Sequence, residues 1–339
     1  MKPNLFHYAT SELSQDAILC WLLSWADNKH KADDPILHEL GRNFLSSIYE
    51  RTREKNPGSY QSIEIRQQDG GIDILCLVNG DIALIIEDKV GSKQHSDQLA
   101  RYKEHVIKKG YSSDKIISVY LQSRDQSDYS EVLKHGYSVY ERRDILKVLE
   151  SSSGRAAQEK SDVIASYSSY LRQIEDEVQS FNTLPPKDWS WESWKGFYSE
   201  LQKTLEDARW DYVANPSGGF LGFWWHFLGD DQCEQYLQIE QEKFCFKIWV
   251  KDQEKRRELR DHWHQRILEV CSRHGLKAKR PDRFGNGNYM TVAILDQDFR
   301  IVNERNQIDL PRTIELLKKA ESVLNDMKAQ PAGEADGGY

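Results

Sequence analysis

Asp73, Glu87 and Lys89 carry the most legible chemistry in this sequence. They lie in Gly70-Gly71-Ile72-Asp73 and in Glu87-Asp88-Lys89, with Asn79-Gly80 between. Side chains alternate along a strand, so Glu87 and Lys89 share one face while the Asp88 side chain takes the other. Asn-Gly is the strongest short hairpin signal, and a turn there folds Asp73 back beside Glu87. The stretch Ile82 to Ile86 is apolar on both faces, which predicts a central, buried strand whose terminal charges need partners. A hard divalent cation is such a partner. With no Cys or His in the set, oxygen donors favour Mg²⁺ or Mn²⁺ over zinc. An ion there acidifies a water, Lys89 positions it, and the chemistry that follows is attack on a phosphodiester.

The elements that must position these groups follow from periodicity. Ile18, Leu22 and Trp25, with Trp21 beside them, predict an amphipathic helix over Leu13 to Trp25, capped by Thr10 or Ser11. A second helix is expected from Ile36 to Tyr49, ending before Lys55-Asn56-Pro57-Gly58. Strands at Ser62 to Arg66, Ile72 to Val78 and Ile82 to Val90 form an antiparallel meander. Leu99, Tyr102 and Val106 mark a helix capped near Ser96, followed by strands at Ile116 to Leu121 and near Tyr137 to Tyr140, then helices to about Phe181. This order predicts an α/β fold with a mixed sheet flanked by helices.

Thr183-Leu184-Pro185-Pro186 cannot continue a helix and precedes a Trp-rich stretch, which divides the chain into residues 1–182 and 187–328, with 329–339 a disordered tail. The second part reads as α+β: a helix through Trp194 to Leu205, strands at Phe220 to Leu228, Glu234 to Glu240 and Lys243 to Lys251, a helix from Glu254 to His274, a strand at Met290 to Leu295 and a helix from Leu310 to Met327.

The arrangement of Asp73, a hairpin and Glu87-Asp88-Lys89 resembles the PD-(D/E)XK nuclease superfamily, the restriction-endonuclease-like fold, over roughly residues 5–150. The resemblance implies a metal-dependent nuclease in which Asp73, Glu87 and the Asp88 backbone carbonyl hold Mg²⁺ and Lys89 activates water. It implies a further acidic ligand on the first helix, Glu12, with Asp16 the alternative one turn away. It also implies that Gln98 and Tyr102, one turn apart on the next helix, steer the scissile phosphate. Tyr8-Ala9-Thr10-Ser11-Glu12-Leu13-Ser14-Gln15-Asp16, leading into Trp21-Leu22-Leu23, is similar to one prokaryotic branch of that superfamily associated with defence against foreign DNA, and phage defence or DNA processing is the implied role. Ile72 stands where the Pro of the family's name would be.

Composition bounds the remaining choices. With 39% hydrophobic residues, ten Trp and sixteen Tyr, the chain is globular and not disordered. No apolar run is long enough to span a bilayer and no signal-peptide core follows Met1, so no membrane partner is expected. The five Cys are scattered without zinc-like spacing, and read as reduced thiols in a cytoplasmic protein. A net charge of −8 leaves nucleic-acid contact to local basic surfaces. Arg101 is one candidate. From Lys251 to Arg283 there are eleven Lys/Arg against six Asp/Glu, and Lys277, Lys279, Arg280 and Arg283 are the others; a solvated helix face is the ordinary meaning of such a run.

DNA is the expected substrate, with RNA an alternative because the chemistry at phosphorus hardly changes with the sugar. A second alternative is a scaffold on the same fold that binds nucleic acid without turnover. A homo-oligomer or an operon-encoded protein partner would fit either. Structural readings compete for several groups: Glu87 and Lys89 as an ion pair at a sheet end, Asp73 as a turn acceptor, Glu12 and Asp16 as helix-dipole partners, Tyr102 as packing. Glu64 reads as solvated, His262 and His264 as facing apart, and Trp191, Trp194, Trp224 and Trp225 as core.

Overall fold

The computed structural model describes residues 3–91, 97–215 and 218–328. It divides into two compact units, Met1–Asp176 and Glu177–Tyr339. The expected cap at Ser96 and the expected tail 329–339 lie outside the described residues.

In the first unit, α1 (Glu12–Ser24) is capped by Ser11, whose side chain accepts from the Ser14 N–H. Then α2 (Pro35–Thr52) starts with Asp34 as cap and Pro35 in its first turn, where the missing N–H costs nothing. Three antiparallel strands follow, β1 (Ile63–Asp69), β2 (Ile72–Val78) and β3 (Ile82–Lys89). Asn79 and Gly80 both take positive φ, 54° and 75°, as a tight hairpin requires. The connection through α3 (Gln98–Lys108) brings β4 (Ile116–Gln122) parallel to β3. A short α4 (Ser130–Lys134) leads to β5 (Ser138–Glu141), parallel to β4, and α5 (Arg142–Leu149), α6 (Ser152–Lys160) and α7 (Asp162–Gln179) complete the unit. The sheet order is β1-β2-β3-β4-β5, which makes β3 central.

Apolar side chains fill both faces of that sheet. Ile74, Cys76, Leu84 and Ile86 pack with residues of α1 and α2, while Leu75, Leu77, Ala83 and Ile85 pack with Leu99, Tyr102 and Val106 of α3. At roughly 25 cal/mol per Å² of apolar surface removed from water, a doubly covered strand of this kind is among the strongest stabilising features a sheet can have.

The second unit begins inside α7. Gly196 in α8 (Trp191–Gln202) lies so close to that helix end that a Cβ would meet the Val178 carbonyl oxygen at 2.0 Å. The last turn of α7 therefore goes with α8, and the division falls ahead of the Pro185-Pro186 break expected from sequence. A six-stranded sheet follows in the order β10-β11-β9-β8-β7-β6, built from β6 (Arg209–Val213), β7 (Phe220–Gly229), β8 (Cys233–Glu240), β9 (Lys243–Val250), β10 (Ala278–Lys279) and β11 (Tyr289–Leu295), antiparallel throughout. Two helices, α9 (Arg256–Arg273) and α10 (Leu310–Lys328), join α8 in covering one face. Periodicity did not anticipate β6 or β10: both are short, and β6 carries Arg209 and Asp211 among its five residues.

Candidate active site

Two hairpin turns and two helices, α1 and α3, assemble the site. The β1–β2 turn uses Gly70 and Gly71 at φ 68° and 86°, and a Cβ on Gly70 would meet the His105 ring of α3 at 2.5 Å. Glycine is required here by both conformation and space. His105 Nε2 and Lys109 Nζ reach Asp69 at 2.8 and 2.7 Å, which fastens the C-terminal end of α3 to the end of β1, at the turn that leads into β2 and Asp73. The second hairpin pairs Ile74 with Ile86 at the end of its ladder, and just beyond that pair the Asp73 carboxylate acts on Glu87.

Lys89 Nζ is the centre of the cluster. It lies 2.6 Å from Glu87 Oε1 and 3.7 Å from both Asp73 Oδ2 and Glu12 Oε2. It also donates to the Asp88 carbonyl at 3.1 Å, so that oxygen faces the same space. Asp73 Oδ2 accepts from the Asp88 N–H at 2.9 Å, and Asp73 Oδ1 from Gln68 Nε2 at 3.2 Å. Gln98 Nε2 donates to Glu87 Oε1 at 2.8 Å and to the Tyr102 hydroxyl at 2.5 Å. Six residues expected from sequence thus meet: Glu12, Asp73, Glu87, Lys89, Gln98 and Tyr102. The ion-pair reading of Glu87 and Lys89 describes a real contact, yet three carboxylates surround one ammonium, which leaves negative charge uncompensated.

That imbalance appears in the protonation equilibria. Burial and then the Asp73 charge push the Glu87 carboxyl up to about 8, with Lys89 opposing. Burial works against the Lys89 ammonium, but Glu87, Asp73 and Glu12 outweigh it and hold its pKa above the ordinary lysine value. Burial also raises the Tyr102 hydroxyl, against the hydrogen bond from Gln98.

The donor set suits a hard cation. Glu87 Oε2 is buried without a hydrogen-bond partner, and a positive charge beside it would remove both that orphaned acceptor and the excess negative charge. Among the described residues no three His, Cys, Asp or Glu side chains stand close enough to form a complete cage. Magnesium needs none, because it keeps several waters and takes one or two carboxylates.

Asp16, the alternative to Glu12, makes no ion pair with Lys89 among the described residues but lies within reach of the charges of Lys89 and Asp73. It is 1% exposed on the inner side of α1 and interacts with the Asp88 carboxylate, itself fully buried behind β3. Gln15 Nε2 donates to Asp88 Oδ1 at 2.6 Å. Burial, followed by Asp73, raises Asp16 to about 7, and burial holds Asp88 well above the ordinary carboxylate range. Sequence reading missed Gln15 and Gln68. Gln15 had a signal, since it lies three residues after Glu12 on the same helix; Gln68 had none, because its approach to Asp73 depends on the β1–β2 turn.

Arg101 is exposed on α3. Lys277, Lys279, Arg280 and Arg283 belong to the second unit and are exposed there. Lys279 is paired with Asp296 at 2.6 Å, and the Arg280 guanidinium stacks 4.3 Å from the Phe284 ring centre, so much of this basic run serves local structure. Glu64 is exposed and pairs with Arg66; His262 is exposed, whereas His264 is buried and meets the Val292 carbonyl at 2.7 Å. Trp194 and Trp225 are core, but Trp191 is 44% exposed and Trp224 half-buried, contrary to expectation. Strand alternation sends only one of Trp224 and Trp225 inward, and Trp191 is exposed as the first residue of α8.

A family profile of the PD-(D/E)XK nuclease superfamily matches residues 3–172. The chain belongs to that superfamily. Its five-stranded mixed sheet flanked by helices is the corresponding fold, and the matched span contains every residue of the cluster around Lys89. Members of the superfamily are generally nucleases, which implies a nucleic-acid substrate. No match is found among curated proteins or among solved structures. Among the described residues, no helix of this PD-(D/E)XK protein is long and apolar enough to cross a membrane.

Proposed function

We propose that this PD-(D/E)XK protein is an Mg²⁺-dependent nuclease acting on DNA in the cytoplasm, in defence against foreign DNA or in DNA processing. The observation that carries the catalytic reading is the Lys89 ammonium held 2.6 Å from Glu87 and 3.7 Å from Asp73 at the end of a buried strand. A cluster of like charges in such a place is costly unless it is used.

Asp73 and Glu87, with the Asp88 carbonyl, would hold the cation, and Glu12 would complete the acidic rim from α1. The bound cation would supply Lewis-acid stabilisation of charge at phosphorus and a more acidic water. Lys89 orients the attacking water and offsets negative charge as it develops on the phosphate oxygens. Gln98 donates to both Glu87 Oε1 and the Tyr102 hydroxyl, which positions the carboxylate and leaves the phenol O–H as the donor to a phosphate.

Incubated with Mg²⁺, the purified protein should cleave DNA, and EDTA should stop it. Lys89→Ala and Glu87→Ala should each cut by a factor of roughly 10²–10⁴ less. If both variants cleave as fast as the parent, the assignment is wrong. Calorimetric Mn²⁺ titration separates an enzyme from a scaffold, since a scaffold shows no heat that disappears in Asp73→Ala.

A further inference from the structure

The sheet of the second unit is covered on one side only. Phe223, Leu237, Phe246 and Val292 face the core made with α8, α9 and α10. Alternation sends their neighbours on β7, β8 and β9 to the opposite face, where the core takes none of Trp224, Tyr236, Gln238, Lys247 and Trp249, and where Tyr236 and Gln238 are shielded by the side chains around them. The ladders order that face: Tyr289 lies opposite Trp249, Lys247 opposite Tyr236, and Trp224 opposite Gln238. A bulge in β7, where the register shifts between Trp225 and Leu228 and His226 takes φ 58°, adds Phe227 to the row. Its ring stacks on Tyr236 with centroids 5.2 Å apart and planes 20° from parallel.

Aromatic rings left in solvent on a sheet need a reason. Tyr289 is 67% exposed and Phe227 40%. Between them stand hydrogen-bonding groups held in fixed positions: Glu240 Oε1 accepts from Gln238 Nε2 at 2.9 Å and from Lys247 Nζ at 3.0 Å. At one end the face opens into a cleft of about 520 Å³ lined by Phe220, Glu240, Lys243, Thr291, Asp282 and Arg283. Two cations and two carboxylates beside a ring suit a ligand that offers a phosphate to the cations and a flat aromatic whose amino groups the carboxylates can accept. A nucleotide has that chemistry. Because Glu240 and Asp282 would repel a dense double row of phosphates, the charge pattern favours a single strand with its bases turned inward.

We propose that this face binds single-stranded nucleic acid, with bases stacked on Tyr289, Trp249 and Phe227 and phosphates beside Lys243 and Arg283. The proposal does not depend on catalysis and would stand if the first unit cut nothing.

The test is fluorescence anisotropy of labelled twelve-nucleotide strands with full-length protein carrying Glu87→Ala, in EDTA, so that cleavage plays no part. The parent should bind, and Tyr289→Ala and Trp249→Ala should each weaken binding by about ten-fold, with Tyr289→Phe restoring it. Ultraviolet crosslinking should place the strand on peptides containing Tyr289 or Trp249. The salt slope should be shallow, equivalent to about two or three released counterions. No binding by the parent would overturn the proposal, as would unchanged affinity in alanine variants whose melting matches the parent. Sedimentation showing self-association that Tyr289→Ala abolishes, without strand binding, would assign the face to a second copy of the chain instead.

Discussion

In the first unit β3 runs through the middle of a sheet with apolar packing above and below, whereas in the second unit β8 and β9 bury one face and leave a mixed aromatic and polar face outside the core. The same element type therefore gives a different signal in each. Polar residues are ordinary on a half-covered strand, so Lys247 or Glu240 alone says little. On β3, Glu87, Asp88 and Lys89 are all at most 5% exposed, so every charge must be explained by a partner. The contrast teaches where to look for chemistry: at charges that the surrounding fold should have forbidden.

The largest effect should come from removing such a charge. Lys89→Ala is expected to abolish metal-dependent cleavage and also to leave Glu87 buried without its cation, so a lowered melting temperature should accompany the lost rate. Cleavage assays beside calorimetric melting check both, and a variant that melts and cuts normally would break the comparison at its strongest point. Next, Leu84→Ala in β3 and Leu237→Ala in β8, both essentially inaccessible, should each cost about 2–5 kcal/mol in denaturant unfolding. Inward-facing residues should behave alike in the two sheets even though the opposite faces do not.

A smaller, pH-dependent effect belongs to Asp16. Its carboxyl is raised to about 7, chiefly by burial, so the folded state binds its proton more tightly than the unfolded chain does. Any stability tied to that proton is complete below about pH 4 and lost as the pH rises through 7. Asp16→Asn should remove the loss, so the variant should gain on the parent by about 1–4 kcal/mol between pH 4 and pH 8 in metal-free buffer. Parallel unfolding curves at all pH values would show that the carboxyl is not raised. Least of all, Tyr289→Ala should change stability by under about 0.5 kcal/mol. A cost comparable to that of Leu237→Ala would mean that the outer face of the second sheet is packed after all.

Most of the first unit was legible from the chain. The Asn79-Gly80 turn fixed the β2–β3 hairpin, and strict alternation along an apolar strand separated Glu87 and Lys89 from the side chain of Asp88. Helical spacing put Gln98 and Tyr102 on one face, where they now meet Glu87. The choice between Glu12 and Asp16 was not legible, since both lie on one side of α1; the packing of that helix on β1, β2 and β3 sets Glu12 beside Lys89 and Asp16 beside Asp88. In the second unit β6 escaped notice because Arg209, Asp211 and Tyr212 disguise a short strand, and a paired sheet edge supplies what its own apolar content lacks.

By itself, the sequence determined which residue types stand at which phase of each strand and helix, because turn chemistry and alternation act over a few neighbouring residues. That was enough for the hairpin, the central apolar strand and the placement of Asp73, Glu87 and Lys89 at one end of it. Long-range packing alone brings three carboxylates onto one ammonium and sets Asp16 beside Asp88. Those outcomes depend on which distant surfaces are pressed together, and packing over such distances is set by the whole core.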